Sequence, residues 1–489
     1  MSYGIRKLST RTKLVAAALA LAFAGVSHAQ TLVGGGATLP SIGYVGDNAA
    51  SNLQVWGTSS TNTADPIDPA SLFGAYEATT GNPNVSYCLT GSGAGKDVLA
   101  GPITLTVSGV VDTFNVQNAC TKNSAGTVTG FGADLSGVNR STLTQPNFAA
   151  ADAPLAISDY ENYQTGHGTS DYPTEFPAVA GAIAIAFNLT DDQGNAVTAA
   201  NFSDEQLCEI FSGTVTNWNS SDLSGALTLK SGDTLNNSQP IKVVYRSDGS
   251  GTTFAFSNHL AYACNALSFT SPSDHFVTNQ SFASVVGLYE PTLPSNWIGA
   301  SGNPAVATAI QTNTASIGYV ETANAKLTNP AIVIADVNGT SPTANFSSKL
   351  TVTASDLAYN SVITGANSTT GVATVDTIAD QVAGTSYTAP TASSCIALVQ
   401  PSEYALPSTS TTTTMLPVGS YPIVAVSYLL ANYQGNGSDL TNTAGLLNAP
   451  YNSTIQSKAT DIGGSTGLQF LSLARGAFTA TQPGSCLAN

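Results

Sequence analysis

The residues that could do chemistry are most concentrated in the stretch 242–254, KVVYRSDGSGTTF. Arg246 and Asp248 come just before two glycines, with the hydroxyls of Ser250 and Thr252 beside them. A guanidinium can hold two oxygens of a tetrahedral anion, whereas a carboxylate can only accept a proton from it. Together they suit a protonated oxyanion such as hydrogen phosphate, because sulfate at neutral pH has no proton to give and would leave the carboxylate unpaired. The alternative is an ordinary turn with a surface ion pair between Arg246 and Asp248.

The sequence around this stretch predicts how its side chains are presented. Val243, Val244 and Tyr245 are β-branched or aromatic, and apolar residues recur at roughly helical spacing over 253–264. The pattern therefore predicts a strand, a glycine turn and a helix. A helix that begins here points its first unpaired backbone N–H groups at whatever lies over the loop, and its macrodipole favours an anion.

Two other stretches have the same build, residues 31–40 (TLVGGGATLP) and residues 85–96 (VSYCLTGSGAGK). The second is not a nucleotide P-loop, because it has three residues rather than four between its glycine and Gly-Lys, and Asp97 stands where Ser or Thr is needed. We interpret it as another anion-facing turn with Ser92 as the donor. The alternatives are a flexible N-terminus for the first stretch and a simple strand-to-helix connection for the second.

A single acid, Asp152, follows the apolar run 148–151. A carboxylate at the end of such a strand is either a helix cap or an acceptor for a ligand. The local sequence leaves both interpretations open.

Composition excludes several classes of partner. Only 9% of the 489 residues are charged, with 14 Lys and Arg against 30 Asp and Glu, for a net charge of −16. Such a chain should not bind nucleic acid or an anionic membrane through its general field. Any anion must therefore be held by local dipoles and one or two well-placed cations.

The N-terminus predicts a secretory signal peptide over residues 1–29. A basic region ends at Lys13, an apolar run of about twelve residues follows, and Ser27-His28-Ala29 precedes Gln30. The run is too short to span a bilayer, so we expect no membrane insertion. Export favours disulfides among the six cysteines, none of which shows the close spacing of a metal site. Chain order suggests three local pairs: Cys88 with Cys120, Cys208 with Cys264, and Cys395 with Cys486.

The remaining chain alternates predicted strands and helices, which implies an α/β fold with largely parallel sheets. Residues 178–188 are nearly continuously apolar, as expected for a strand buried on both faces. Two regions depart from the alternation. Residues 97–147 are rich in Thr, Val, Gly and Asn and suggest an inserted hairpin, whereas the Ser- and Thr-rich residues 354–412 suggest loops and short strands.

Taken in order, these blocks resemble the periplasmic phosphate-binding proteins of ABC transporters, and among them most closely the DING branch. The shared blocks are residues 35–40, 91–93, 152–155, 207–213 with Trp218, 244–253, 317–320 and 421–423. Two departures are visible. Ala150 and Ala151 stand where the family usually has Gly-Ser, and the start at Gln30 lacks the Asp-Ile-Asn-Gly that names the DING branch.

The resemblance implies a type II periplasmic-binding-protein fold, in which two α/β lobes joined by a hinge close a ligand cleft on one dehydrated phosphate. Lobe 1 is expected over 30–178 and 333–489, with β-rich insertions near 97–147 and 354–412, and lobe 2 over 179–332. In that family the phosphate oxygens are held at positions matching nine residues of this chain: Thr38, Leu39 (through its backbone N–H), Ser92, Asp152, Arg246, Asp248, Ser250, Gly251 and Thr252. Asp152 and Asp248 are expected to accept the phosphate proton.

The function expected from this resemblance is exported, high-affinity and non-enzymatic binding of inorganic phosphate, for uptake or scavenging, with no cofactor and no metal. We expect a periplasmic or extracellular monomer, with an ABC permease as a partner and no nucleic acid. Two alternatives stay open: a secreted adhesive or structural protein on the same scaffold, and a phosphate-ester hydrolase. The hydrolase is disfavoured, because beyond the predicted signal peptide only His167, His259 and His275 are present, and no G-x-S-x-G motif is found.

Overall fold

A computed structural model of the protein describes residues 30–47, 52–57, 65–107, 109–134, 138, 140–267, 274–328, 330–346, 350–408, 415–474 and 476–489. The predicted signal peptide, residues 1–29, lies outside these described residues. Among the described residues, no helix is long and apolar enough to cross a membrane.

Helices and strands alternate through the described chain. The helices are α1 (Ser41–Val45), α2 (Leu72–Glu77), α3 (Ser92–Ala100), α4 (Ile157–His167), α5 (Asp204–Phe211), α6 (Gly251–Ala266), α7 (Phe282–Val285), α8 (Asn303–Thr312), α9 (Thr322–Leu327), α10 (Ile378–Val382), α11 (Leu440–Asn448), α12 (Ser453–Gln456) and α13 (Gln482–Ser485). The strands are β1 (Leu32–Gly35), β2 (Gln54–Trp56), β3 (Asp65–Pro66), β4 (Val85–Cys88), β5 (Ile103–Val107), β6 (Val110–Phe114), β7 (Ala149–Ala151), β8 (Pro173–Asn188), β9 (Ala199–Phe202), β10 (Leu227–Thr228), β11 (Lys242–Arg246), β12 (Ile298–Ala300), β13 (Ser316–Glu321), β14 (Val333–Val337), β15 (Thr351–Val352), β16 (Leu357–Tyr359), β17 (Ser361–Ala366), β18 (Ala373–Thr377), β19 (Ala397–Val399), β20 (Val424–Asn432), β21 (Leu468–Phe470) and β22 (Ser472–Leu473).

The longest strand, β8, joins the two halves of the fold. Nine of its first ten residues pair with β20, with a bulge at Ala178, and its remaining residues pair with β13 and β14. The change of partner therefore falls between Ala182 and Ile183. All but its last residue are buried, as the apolar run predicts. The expectation of largely parallel sheets is wrong here, because β13, β14, β20 and β21 all pair with β8 antiparallel. A continuous apolar run indicates burial on both faces, but it carries no information about the direction of neighbouring strands.

The second half of the sheet has the strand order β10-β9-β14-β8-β13-β11-β12. Within it, β11 is parallel to both β12 and β13. Helices α6 and α8 follow β11 and β12 and pack against this sheet. The α/β class is therefore confirmed. Because β14 pairs with β8 and with β9, these contacts favour ending the second lobe after Val337 rather than at position 332; the lobe boundaries otherwise stay a prediction.

The first half contains a small sheet of order β1-β4-β2-β3, in which β1 and β4 are parallel. Strand β7 pairs with β20, and Ala150 forms a bridge with Gly36, which directly follows β1. The carboxyl ends of parallel strands meet at one edge of a sheet, which is where α/β folds place their ligands. The segments that follow β1, β4 and β7 therefore come together.

The two departing regions form additional β structure. In the first, β5 and β6 form an antiparallel hairpin. In the second, β16 pairs with β19 and β17 pairs with β18, again antiparallel. Three disulfides tie the chain together, in the pairs that chain order suggests: Cys88–Cys120, Cys208–Cys264 and Cys395–Cys486. The first anchors the β5–β6 region to β4, and the third anchors the β16–β19 region to the C-terminus.

Candidate functional site

The loop between β11 and α6 has the predicted form of strand, turn and helix. Arg246 is the last residue of β11, and Gly251 is the first residue of α6. The hydroxyl of Ser250 accepts a hydrogen bond from the backbone N–H of Thr253 at 3.1 Å and so caps the helix. Its own proton remains available for donation. The helix runs for 16 residues, and its unpaired N–H groups face the loop.

Arg246 is held in one orientation by Asp248. Its Nε and Nη2 atoms donate to the two carboxylate oxygens at 2.7 and 2.5 Å, while Nη1 donates to the hydroxyl of Thr252 at 3.2 Å. The backbone N–H of Gly302 also donates to Asp248 Oδ1, at 3.1 Å. Both Asp248 oxygens are thus engaged within the protein, in the Arg246–Asp248 ion pair that the sequence leaves open as an alternative. This pairing orients Arg246, and the acceptance of a ligand proton by Asp248 stays a prediction.

The loop after β4 meets this Arg246 loop from the other half of the fold. Gly91 has φ of +87°, and a Cβ atom there would lie 2.5 Å from Asp248 Oδ2. The backbone N–H of Gly93 donates to the carbonyl of Gly249 at 3.1 Å. Only glycine meets both requirements at position 91, a left-handed backbone and room for the carboxylate. The two glycine-rich stretches singled out in the sequence therefore contact each other directly.

Asp152 lies between the two loops and is 1% exposed. Its backbone N–H donates to the hydroxyl of Ser92 at 2.9 Å, and that hydroxyl lies 3.4 Å from Oδ2. Its second oxygen, Oδ1, has no hydrogen-bond partner within the described part of the chain. Asp152 does not cap α4, which begins five residues later at Ile157. Of the two local interpretations of this acid, the structure favours the ligand acceptor.

Burial is the main influence on the ionisation of Asp152. It raises the pKa of this carboxyl to about 7, against the lowering effects of the Ser427 hydroxyl, the Arg246 charge and the backbone N–H of Leu39. A buried carboxylate with one free oxygen is costly unless a donor reaches it. A ligand that brings its own O–H group would supply that donor.

The segment after β1 completes the site. The backbone N–H of Leu39 faces the carboxyl of Asp152. The start of α6 also touches Asp152, since a Cβ atom on Gly251 would lie 2.5 Å from its backbone. Thr38 is 2% exposed, and its hydroxyl accepts hydrogen bonds from the backbone and side-chain N–H groups of Asn303, at 3.3 and 3.2 Å. The structure thus brings all nine predicted residues together, although their contact with a ligand stays a prediction.

Asn303 is the residue of this site that the sequence analysis missed. It is fully buried at the start of α8, and its side-chain amide donates to the hydroxyls of both Thr38 and Thr252. Its carbonyl oxygen accepts from the backbone N–H of Glu321 at 2.9 Å, which fixes the orientation of the amide. The only local signal was the Gly-Asn-Pro sequence that opens a helix, which is typical of helix starts in general.

A second basic side chain, that of Lys122, lies at the mouth of the site. A cavity of about 450 Å³ borders the site and is lined in part by Thr38, Lys122, Asp248 and Gly302. The ammonium group of Lys122 donates to the carbonyl of Ser301 at 3.4 Å. Lys122 lies two residues after Cys120, so the first disulfide tethers it to β4. The β5–β6 region thus reaches across the mouth to the opposite half of the fold.

Hydrolytic groups are not found at the site within the described chain. No group of three or more His, Cys, Asp and Glu residues there could hold a metal ion. The buried ring of His259 contacts the carbonyl of Ala405 at 3.0 Å and Asp204 at 3.2 Å, and does not contact Ser250. No described histidine is hydrogen-bonded to a hydroxyl of the site.

Comparison with known proteins identifies the family. The profile of the PBP superfamily domain matches residues 48–406. The chain belongs to the PBP superfamily. A solved structure, a phosphate-binding protein from Stenotrophomonas maltophilia, covers 91% of each chain with a TM-score of 0.53 at 21% identity. The periplasmic-binding-protein fold is confirmed at this level.

Curated relatives of this PBP-superfamily chain carry two kinds of name. It is 29% identical to alkaline phosphatase L of Pseudomonas aeruginosa over 70% of this chain and 69% of that protein. It is 28% identical to phosphate-binding protein PstS 3 of Mycobacterium leprae over 49% of this chain and 59% of that protein. With phosphate-binding protein PstS of Haemophilus influenzae it shares 32% identity over 37% of this chain and 45% of that protein. The chain thus spans about half the length of these two PstS relatives.

Proposed function

We propose that the protein binds one inorganic phosphate ion between its two lobes. The observation that carries this proposal is the presence of two buried groups side by side, the Arg246 guanidinium and the Oδ1 atom of Asp152, which has no hydrogen-bond partner among the described residues. The negative charge of hydrogen phosphate would pair with the Arg246 guanidinium, and its O–H group would donate to Asp152 Oδ1. A fully deprotonated tetrahedral anion would also pair with Arg246, but it would place an acceptor oxygen against Asp152 Oδ1 and repel it.

The remaining contacts fit the same ligand. Ser92, Ser250 and Thr252 are buried and carry hydroxyls that can donate to phosphate oxygens, as does Thr38. The backbone N–H groups at the start of α6 add donors and a favourable dipole. With the site residues almost wholly excluded from water, each of these contacts is stronger than it would be at the surface. Because the chain has a net charge of −16, its overall field does not attract anions, so phosphate recognition depends on this local arrangement.

We further propose that the protein is exported to the periplasm or beyond and releases phosphate to an ABC permease or retains it as a scavenger. The basic, apolar and small-residue pattern of residues 1–29 supports export, as do the three disulfides. Relatives named phosphate-binding protein PstS support a role in phosphate uptake. Placement in the DING branch remains a prediction.

Phosphate-ester hydrolysis is the second candidate, because one relative is named alkaline phosphatase L. The geometry supports it less well. The described site has no metal cluster and no histidine placed to act as a base for Ser250.

The proposal can be tested by native mass spectrometry of the purified mature protein. One phosphate per chain should be retained, and it should be lost on denaturation and regained on refolding with phosphate. Arg246→Gln should retain none, while Lys230→Gln, which removes the same charge from an exposed residue, should retain it. In the same samples p-nitrophenyl phosphate should not be hydrolysed. Wild-type protein that regains no phosphate would overturn the proposal, and turnover of the ester that Arg246→Gln abolishes would favour the hydrolase.

A further inference from the structure

A hairpin in the second departing region crosses from one lobe to the other. It comprises residues 361–377, that is β17, β18 and the tip 367–372 between them, and we call it the clasp. Nothing in the sequence assigned it a role. Its contacts with both lobes lie directly behind the two loops that form the phosphate site.

The base of the clasp is fixed to the first lobe. The backbone N–H of Ile363 donates to the carbonyl of Leu155 at 2.9 Å, and Ile363 forms a parallel bridge with Ala156. Just before the clasp, the backbone N–H of Asn360 donates to the carbonyl of Ile396 at 2.8 Å. Residue 396 adjoins Cys395, which is disulfide-bonded to Cys486. The base therefore moves with the segment that carries Asp152.

The tip of the clasp is fixed to the second lobe. The carbonyl of Gly371 accepts from the backbone N–H of Thr278 at 2.8 Å, and the carbonyl of Thr370 accepts from the side chain of Asn265 in α6. Gly371 has φ of +66°, and a Cβ atom there would lie 1.8 Å from the carbonyl oxygen of Phe276. Backbone thus packs against backbone at this point, and any side chain at position 371 would push the tip away.

A small apolar cluster joins the clasp to the phosphate site itself. Its buried members are Ala153 from the Asp152 segment, Phe254 from α6 and Ile363 from the clasp. Ala153 follows Asp152, and Phe254 lies two residues after Thr252 in the first turn of α6. Opening the two lobes would separate these side chains and expose them to water, which opposes opening.

We propose that the clasp holds the lobes closed and so sets the rate at which phosphate leaves, with Ile363 as a positioning residue for the Asp152 segment. This inference rests on the proposed function. In a two-lobed binding protein the ligand leaves only when the lobes separate, so each contact that bridges them adds to the barrier for release. The clasp is anchored to the first lobe at its base and contacts the second lobe at its tip and through the apolar cluster.

The test compares two glycines of the clasp. Gly371→Ala introduces the clash with Phe276, whereas Gly365→Ala, also at positive φ (+131°), points into open space. Protein is loaded with radiolabelled phosphate, and the loss of label is followed after adding excess unlabelled phosphate. Gly371→Ala should release phosphate about tenfold faster than wild type, as expected for losing one or two bridging hydrogen bonds. Gly365→Ala should release at the wild-type rate.

A second variant guards against misfolding of Gly371→Ala. Ala366 and Ala373 are directly paired, so the tip 367–372 can be replaced by Asn-Gly, which favours a two-residue hairpin turn. This variant keeps the base and loses every contact of the tip with the second lobe. It should also release phosphate about tenfold faster or more. A folded tip-deletion variant that releases at the wild-type rate would overturn the clasp while leaving phosphate binding intact. Wild-type protein that binds no phosphate would overturn the proposed function, and the clasp with it.

Discussion

Asp152→Asn should weaken phosphate binding and allow sulfate to bind, so that the site loses its selectivity for phosphate. The substitution keeps the shape of the side chain, and the backbone N–H that donates to Ser92 is unchanged, so the segment should keep its position. What changes is the chemistry at Oδ1, the buried atom for which the described part of the chain supplies no hydrogen-bond partner. In the wild type at pH 8, above the pKa of about 7, the carboxyl is mostly ionised and that atom can only accept. In the variant the side chain presents both a carbonyl oxygen and an N–H group, so it can turn a donor towards an anion.

The expected size follows from the contact that is lost. A hydrogen bond to a charged group contributes about 1.5–3 kcal/mol, so phosphate affinity should fall by about tenfold to about a hundredfold. Sulfate at neutral pH has no proton and places an acceptor against the wild-type carboxylate, for which a discrimination of roughly ten-thousandfold is expected. In the variant that discrimination should shrink to about tenfold, because the amide N–H can donate to sulfate.

The assay is equilibrium dialysis at pH 8 with radiolabelled phosphate and radiolabelled sulfate, using phosphate-stripped protein. Asp222→Asn is the matched control, since it removes the same charge from an exposed residue, and it should behave as wild type. The reasoning is refuted if Asp152→Asn keeps wild-type phosphate affinity, or if it loses phosphate without gaining sulfate. The second result would mean that Asp152 supports the fold of the site rather than detecting the ligand proton.

Three further predictions follow from the same geometry. Since burial raises the pKa of Asp152 to about 7, phosphate affinity measured by dialysis should fall below that pH for two reasons, protonation of this carboxyl and conversion of the phosphate dianion to the monoanion. Asp152→Asn should remove the first contribution, about tenfold per pH unit, and keep the second; equally steep profiles for the two proteins would contradict it. Asp248→Asn should leave Arg246 free to turn away and should weaken phosphate binding by about tenfold or more, with no gain of sulfate. Lys122→Gln should slow phosphate association by about twofold to tenfold at low salt and leave the dissociation rate unchanged, in contrast to Lys230→Gln; equal association rates for the two in stopped-flow measurements would count against a steering role.

The pKa of Asp152 also predicts how the empty protein responds to pH. A carboxyl whose pKa is higher in the folded than in the unfolded chain holds its proton more firmly when folded. The empty wild-type protein should therefore gain stability as pH falls from about 7 towards about 4, relative to Asp152→Asn. Urea unfolding at several pH values measures this difference. A wild-type protein that becomes more stable relative to Asp152→Asn as pH rises would contradict the assignment.

The anion loop could be predicted because its signals are local. The β-branched run before Arg246, the glycines after it and the capping Ser250 each act within one turn of chain, and the strand, turn and helix follow from them. Gly91 belongs to the same class, since a glycine-rich turn after an apolar strand is visible in the sequence. The three disulfide pairs also follow chain order, which holds because each joins segments of the same half of the fold.

Features that depend on distant contacts could not be predicted in this way. Asn303 enters the site only because α8 begins beside Thr38. The sequence leaves an Arg246–Asp248 ion pair open as an alternative, but the burial of Arg246 within that pair depends on the segments packed around it. The direction of the strands around β8 is set by the path of the chain between lobes and leaves no mark on its apolar pattern. The composition of residues 354–412 predicts loops and short strands, whereas the role of the clasp depends on distant contacts made by its tip at Gly371.

The most direct test of the account is isothermal titration of the phosphate-stripped, refolded mature protein at pH 8, first with phosphate and then with sulfate. We expect phosphate to bind with a stoichiometry of one per chain, and sulfate to give no heat of binding at concentrations that saturate the site with phosphate. No heat of binding with either anion, or equal binding of the two, would contradict the claim that Arg246 and Asp152 Oδ1 form a site for protonated phosphate.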